Sequence, residues 1–208
     1  MNSLMDDTLP SVACVSEPGT AVSATRSSAI AAVAVFCGSL DGADAVYRAT
    51  AAELGRELAT RGIGVVYGGG KIGLMQAVAD AALEVGGRVV GVIPTVLVKQ
   101  EVAHEGLTEL HVTDTMHTRK AMFGARSDAF VVLPGGFGTL EEVFEVLSWK
   151  TLRLHSKPVL LLNTNGFYDK LLTFLDECVE RGMLKATNRE VVLVARTVDE
   201  ALEMLGIA

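Results

Sequence analysis

The sequence predicts an α/β fold: a Rossmann-like, doubly wound, mostly parallel sheet with helices on both faces, in a single domain. Three observations predict it. From Ile30 onward, short apolar runs alternate with stretches of helical spacing. The apolar runs are continuous rather than alternating, which marks strands covered on both faces. Glycine-rich turns stand where runs end and helical patterns begin, at Cys37-Gly38-Ser39, Gly68-Gly69-Gly70 and Pro134-Gly135-Gly136. Alternation of this regularity builds βαβ units and a parallel sheet.

The elements follow in order. Ile30–Phe36 reads as a strand and Ala43–Arg61 as a helix, with Val46, Leu54 and Leu58 at helical spacing. Ile63–Tyr67 is the next strand, Leu74–Val85 a helix, and Arg88–Ile93 a strand up to Pro94. Val96–Glu109 has no clear period and reads as an irregular excursion with a helical turn. Leu110–Thr113 is a short strand and Thr115–Arg126 a helix. Ala129–Leu133 is a strand stopped by Pro134, and Leu140–Leu152 is the helix after it. Pro158–Leu162, Tyr168–Arg181, Val191–Ala195 and Val198–Leu205 then read as strand, helix, strand and helix.

Composition bounds what this fold can do. With 208 residues, 50% hydrophobic and 21% charged, the chain supports one sizeable core. A net charge of -7 argues against a general nucleic-acid surface, which needs clustered Lys and Arg. It leaves room for a local basic pocket. The three cysteines are too scattered for a disulfide framework or a CxxC metal site, and fit a reducing cytoplasm. Cys37, inside an apolar run, reads as a small buried side chain. No apolar run reaches membrane-spanning length. Residues 1–28 carry Asp6 and Asp7 where a secretory signal wants Lys or Arg. They read as a mobile tail, and residues 29–208 as the single Rossmann-like domain.

In such sheets a ligand sits beyond the carboxyl ends of the strands, where helix starts present free N–H groups. Gly68-Gly69-Gly70-Lys71-Ile72-Gly73 matches GxGxxG after a strand. A dinucleotide site also wants a ribose-binding acid about twenty residues on. That region reads Val92-Ile93-Pro94-Thr95, with no carboxylate. Lys71 lacks the GxxxxGK[ST] spacing of a Walker lysine. Pro134-Gly135-Gly136-Phe137-Gly138-Thr139 is the better anion cradle, because its glycines allow close backbone approach before a helix start.

Glu141 and Glu142 follow that cradle directly, and two readings compete for them. Thr139 with Glu142 fits a capping box, a purely structural device. Alternatively Glu142 acts on the ligand, where Gln could not replace it. Arg119, Met122, Phe123 and Arg126 share a helix face, and an arginine among apolar neighbours suits an anionic partner or a core-edge acid. His104, His111, His117 and His155 show no metal-ligand spacing, and no residue is assigned to a metal.

From Met116 to about Tyr168 the chain resembles the Lonely Guy (LOG) family of cytokinin-activating phosphoribohydrolases. The resemblance is carried by Met116-His117 with Arg119-Lys120, by Ser127-Asp128-Ala129-Phe130, and by PGGxGTxxE from Pro134 to Glu142. Trp149, Lys157-Pro158, Asn163 and Gly166-Phe167-Tyr168 continue it. Cys37-Gly38-Ser39 and Tyr67-Gly68-Gly69-Gly70 with Gly73-Leu74-Met75 extend it over nearly everything after the tail.

The resemblance implies hydrolysis of an N6-substituted adenosine 5′-monophosphate to free base and ribose 5-phosphate. It implies Arg119 and Glu142 as catalytic residues. It implies substrate or phosphate binding by Ser39, Gly69, Gly70, Glu101, Met116, Lys120, Gly135, Gly136, Gly138, Thr139 and Glu141. No cofactor, nucleic acid or membrane partner is implied, and a homodimer with shared active sites is. Apolar residues around the helix after the cradle (Val143, Phe144, Val146, Leu147, Trp149, Leu152) fit either that dimer or a helix buried within one subunit. Proteins of this kind are often labelled lysine decarboxylases, yet no lysine here stands in a recognisable Schiff-base context. The alternatives are a non-catalytic nucleotide or pterin-cofactor carrier of similar fold, or a broader AMP or purine monophosphate nucleosidase.

Overall fold

A computed structural model describes residues 30–98 and 102–207 of the chain. The N-terminal 28 residues and Glu101 lie outside the described residues. Seven strands form one sheet, every neighbouring pair parallel. In chain order the elements are β1 (Ala32–Phe36), α1 (Ala45–Thr60), β2 (Gly64–Tyr67), α2 (Gly73–Glu84), β3 (Val89–Pro94) and β4 (Glu109–Thr113). These are followed by α3 (Met116–Arg126), β5 (Ala129–Val132), α4 (Phe137–Thr151), β6 (Val159–Leu162), α5 (Asp169–Glu180), α6 (Ala186–Arg189), β7 (Val192–Ala195) and α7 (Val198–Met204).

The strand order is β4-β3-β2-β1-β5-β6-β7. The chain runs outward from β1 in one direction, then returns to β1's other side with β5. The carboxyl ends of β1 and β5 therefore flank the point where the order reverses, which is where doubly wound sheets open a crevice.

Burial explains the continuous apolar runs. Every residue of β1, β2, β3, β5 and β6 is buried, whereas the edge strands β4 and β7 are only partly so. Val33 and Val35 turn to one face, where Leu54, Leu58, Val78 and Leu202 bring α1, α2 and α7 onto the sheet. Ala34 and Phe36 turn to the other, against Phe123 of α3 and Val143 and Val146 of α4. Phe36 and Phe123 meet edge to face at 5.4 Å between ring centres, which seats α3 over the end of β1.

Two local results differ from the sequence reading. The helix after the cradle begins at Phe137 rather than Leu140, with Gly136 as its N-cap and no side-chain cap. Thr139 is thus inside the first turn, and the capping box is not formed. Glycine's low helix propensity had hidden this first turn. The excursion before β4 contains turns at 95–98, and its segment 102–104 lies along the glycine turn after β2. Lys71 N donates to Val102 O, His104 N donates to Gly69 O, and Gly70 and Ala103 form an isolated antiparallel bridge.

Candidate active site

Three chain segments meet at the reversal point. Gly38, just past β1, donates its N–H to Pro134 O at 3.0 Å, and its own carbonyl accepts from Leu74 N of α2 at 3.1 Å. The turns after β1 and β5 are thereby tied directly to each other. Tyr168 supports the second turn from behind. Its hydroxyl donates to Leu133 O at 2.7 Å, and its backbone N–H donates to Asn163 Oδ1 at 2.7 Å. Burial pushes the phenol's pKa well above its ordinary value, so it remains a donor.

Close packing at Gly135 completes the cradle. A β-carbon there would lie 2.1 Å from Thr139 Oγ1 and 2.9 Å from Gly38 N, so only glycine fits. At Gly136 and Gly138 a β-carbon would meet nothing within 4 Å, because that side is open. The start of α4 is left without a side-chain cap. Its first-turn N–H groups have no partner further back along the helix, and together with the helix dipole they form an anion seat. Gly135→Ala is expected to displace Thr139, costing about 1–3 kcal/mol. Gly136→Ala should fold with an unchanged Tm and weaken nucleotide binding alone. Thermal unfolding together with nucleotide titration of both variants checks this.

A cavity of about 150 Å³ opens at this seat. Ser39, Gly136, Gly138, Thr139, Arg119 and Glu142 all line it. Arg119 comes from α3 and is 5% exposed. Its Nε donates to Val92 O at 3.1 Å and an Nη to Gly68 O at 3.5 Å, while the guanidinium lies 5.5 Å over the Phe123 ring. Main-chain carbonyls at the ends of β2 and β3 thus aim it across the cavity at Glu142, 3.8 Å from Nη to Oε1. That separation makes the pair an electrostatic one rather than a tight hydrogen bond. A half-buried carboxylate beside an uncapped helix start, facing a fixed cation, suits the stabilisation of developing positive charge.

The other expected residues fall elsewhere. Lys120 points along α4 instead, its Nζ 2.5 Å from Glu141 Oε1 and 2.9 Å from Glu145 Oε1. Those two carboxylates hold its pKa above the ordinary lysine value. Lys120 and Glu141 act here as a strut between α3 and α4. Met116 is partly exposed at the start of α3, outside the cavity lining. Gly69 and Gly70 bond to the segment at 102–104 rather than lining the cavity. Glu101 is outside the described residues. Gly135 lines a second, more apolar cavity of about 240 Å³ with Leu40, Tyr47, Leu74 and Phe167.

Sequence reasoning missed Val35, Cys37, Gly38, Gly68, Met75 and Phe137 as lining residues. The signal for Cys37 and Gly38 was their place after the first strand, where the sheet order reverses. Phe137 is 93% exposed at the rim. Among the described residues no group of three or more His, Cys, Asp or Glu side chains is placed to hold a metal ion.

An uncapped helix start at the reversal point of a parallel sheet, with an Arg–Glu pair in the same cavity, marks an α/β protein whose crevice suits an anionic ligand and electrostatic chemistry. The family described as "possible lysine decarboxylase" matches residues 75–205. The chain is 46% identical over 173 residues to the cytokinin riboside 5′-monophosphate phosphoribohydrolase LOG3 of Arabidopsis thaliana, covering 83% of this chain and 80% of that one. It is 51% identical over 163 residues to a probable phosphoribohydrolase of the same name, LOGL9 of Oryza sativa subsp. japonica, covering 78% and 72%. The chain belongs to this LOG family. Among solved structures, the Moco carrier protein of Chlamydomonas reinhardtii superposes with a TM-score of 0.63 at 26% identity, covering 84% of this chain and 94% of the carrier. A molybdenum cofactor binding protein of Rippkaea orientalis, 21% identical with a TM-score of 0.62, shares the fold over 84% of this chain and 94% of that one.

Proposed function

We propose that the chain hydrolyses the N-glycosidic bond of N6-modified adenosine 5′-monophosphates, releasing free base and ribose 5-phosphate. The observation that carries this reading is Glu142 and Arg119 in one cavity with the uncapped start of α4. The relatives' names supply the substrate class. The 5′-phosphate sits on the N–H groups of Gly136 to Thr139, and this anchoring brings C1′ to the carboxylate by geometry. As the C1′–N9 bond lengthens, positive charge builds on the ribose and the electron pair passes to the base. Glu142 stabilises that charge and takes a proton from the water that adds to C1′. Arg119 is no general acid, because its pKa is above about 12. Its role is to hold and orient Glu142. The departing base takes up a proton at the site.

The reading includes a homodimer that shares its active sites. Its support is the large apolar side chains that the subunit leaves exposed, Phe137 and Phe144 on α4 and Leu110 and Val112 on the edge strand β4. Exposed apolar side chains of this kind are what an interface between subunits would cover. Val143, Val146 and Leu147 of the same helix are spent on the subunit's own core. The reading also includes action in the cytoplasm, which suits the scattered placement of the three cysteines along the chain. It needs no cofactor, nucleic acid or membrane. Among the described residues no helix is long and apolar enough to cross a membrane.

A lysine decarboxylase would need a substrate-facing lysine for Schiff-base chemistry. The lining of the Arg119–Glu142 cavity contains none. The carrier reading draws on the Chlamydomonas neighbour, but a carboxylate beside an anion seat weakens passive binding of an anionic ligand. Incubating the protein with N6-isopentenyl-AMP and with AMP, and resolving base and ribose 5-phosphate by chromatography, tests the proposal. Release of both products from the N6-modified substrate is expected, in preference to AMP. Binding of either nucleotide without cleavage would overturn it in favour of a carrier, and equal cleavage would make it a broader purine monophosphate nucleosidase.

A further inference from the structure

His104 is 4% exposed, and the chemistry described above gives it no role. Its ring is engaged at both nitrogens. Gly106 donates its backbone N–H to Nδ1 at 3.1 Å, and Nε2 lies 2.8 Å from Asp80 Oδ1 on α2. A backbone N–H can only donate, so Nδ1 is an acceptor and the proton is on Nε2, directed at Asp80. The imidazole therefore clasps the segment 102–106 to α2. That segment is under local strain, because Val102, a β-branched residue, has φ +49. Something must hold it in place.

What the segment holds is the turn after β2. His104 N donates to Gly69 O at 2.9 Å and Val102 O accepts from Lys71 N at 2.8 Å, so the turn is gripped on both sides of Gly70. Gly68, next in the chain, offers its carbonyl to Arg119 and leaves no room beside it. A β-carbon at Gly68 would lie 2.7 Å from an Arg119 Nη. Arg119 in turn faces Glu142.

We infer that His104, locked by Asp80, is a positioning residue for Arg119, acting through the Gly68–Lys71 turn. The clasp touches neither the substrate nor the anion seat. Its loss should therefore disturb the Arg–Glu alignment while leaving phosphate anchoring intact. For its kinetic arm the inference rests on the phosphoribohydrolase reading. A second arm does not.

The test compares His104→Ala, Asp80→Ala and Asp80→Asn in the full chain. An asparagine at 80 keeps an oxygen to accept from Nε2–H, so it should preserve the clasp. Both alanine variants are expected to lower kcat on N6-isopentenyl-AMP about ten- to a hundredfold, with KM changed by less than about twofold. Asp80→Asn should stay near wild type. In the second arm, NMR of the Arg119 Nε–H, assigned against Arg119→Lys, reports the guanidinium's alignment without turnover. Its exchange with solvent should quicken in both alanine variants and not in Asp80→Asn. Wild-type exchange in folded His104→Ala would overturn the inference even if the protein cleaves no nucleotide. So would a fall in kcat matched by an equal rise in KM, or an Asp80→Asn variant as impaired as Asp80→Ala. If wild type is inactive but the exchange pattern is as expected, the proposed function fails and the positioning role stands.

Discussion

Glu142→Gln is expected to lower kcat/KM on N6-isopentenyl-AMP by about 10³-fold while leaving the fold intact. The substitution conserves size and hydrogen-bonding reach and removes only the charge and the basicity. Because the N-cap of α4 is Gly136 rather than Thr139, Glu142 stands beyond the capping-box position three residues after the cap. A cost in stability is therefore not the expected origin of the lost rate. Loss of the carboxylate removes both the stabilisation of the sugar's developing charge and the acceptor for water's proton. Nucleotide affinity should hold or rise, because a negative charge has been taken from beside the phosphate seat. Chromatographic rate measurements with circular dichroism and nucleotide titration separate these effects. A folded Glu142→Gln variant that cleaves at the wild-type rate would remove this residue from the mechanism.

Arg119 carries the second large effect, and two substitutions are needed to read it. Arg119→Ala is expected to cost about 10²–10³ in kcat/KM. It also strands the Val92 and Gly68 carbonyls that the guanidinium satisfies, at about 1–3 kcal/mol of stability. Arg119→Lys keeps the positive charge in the cavity and recovers part of that stability. It cannot reproduce a planar fork reaching two main-chain carbonyls and a carboxylate at once. The rate should therefore stay low in the lysine variant even where the denaturant midpoint recovers. If rate and midpoint recovered together, Arg119 would be a structural cation only.

Much of the fold was legible because the strands are buried on both faces and are therefore apolar throughout, as in Val89–Ile93 and Ala129–Val132. The start of α4 was illegible for a physical reason. Its cap is Gly136 and its first turn contains Gly138, where propensity counsels against a helix, and the space beside both is open. Helix α6, only Ala186–Arg189, and the 3₁₀ turn at Thr164–Gly166 are too short to leave a period. Within the site, the resemblance implied catalysis by Arg119 and binding by the adjacent Lys120. Adjacent residues on a helix diverge by about 100°, and here Arg119 enters the cavity while Lys120 turns to Glu141 and Glu145.

Several residues that carried the family resemblance turn out to support the fold. Asp128 Oδ2 accepts the N–H groups of Ala31 and Ala32 at 2.9 and 3.0 Å, fixing β1 against β5. Lys157 Nζ donates to Gly124 O and to Ser127 O, satisfying carbonyls at the carboxyl end of α3. A sequence pattern cannot distinguish a residue that meets the ligand from one that holds the helix carrying Arg119. Only the positions of their partners do so.

The bond from Gly38 to Pro134 joins the two turns through strands that are themselves adjacent in the sheet. The anion seat is thus part of the scaffold, with no hinge between it and the core. The side chain of Phe137, at the rim, stands exposed outside that scaffold. On the proposed reading, this division lets substrate preference drift through changes at the rim, one side chain at a time, while the backbone seat for the phosphate is inherited unchanged. A lineage of such proteins can therefore diversify in what it accepts without having to reinvent how it holds on.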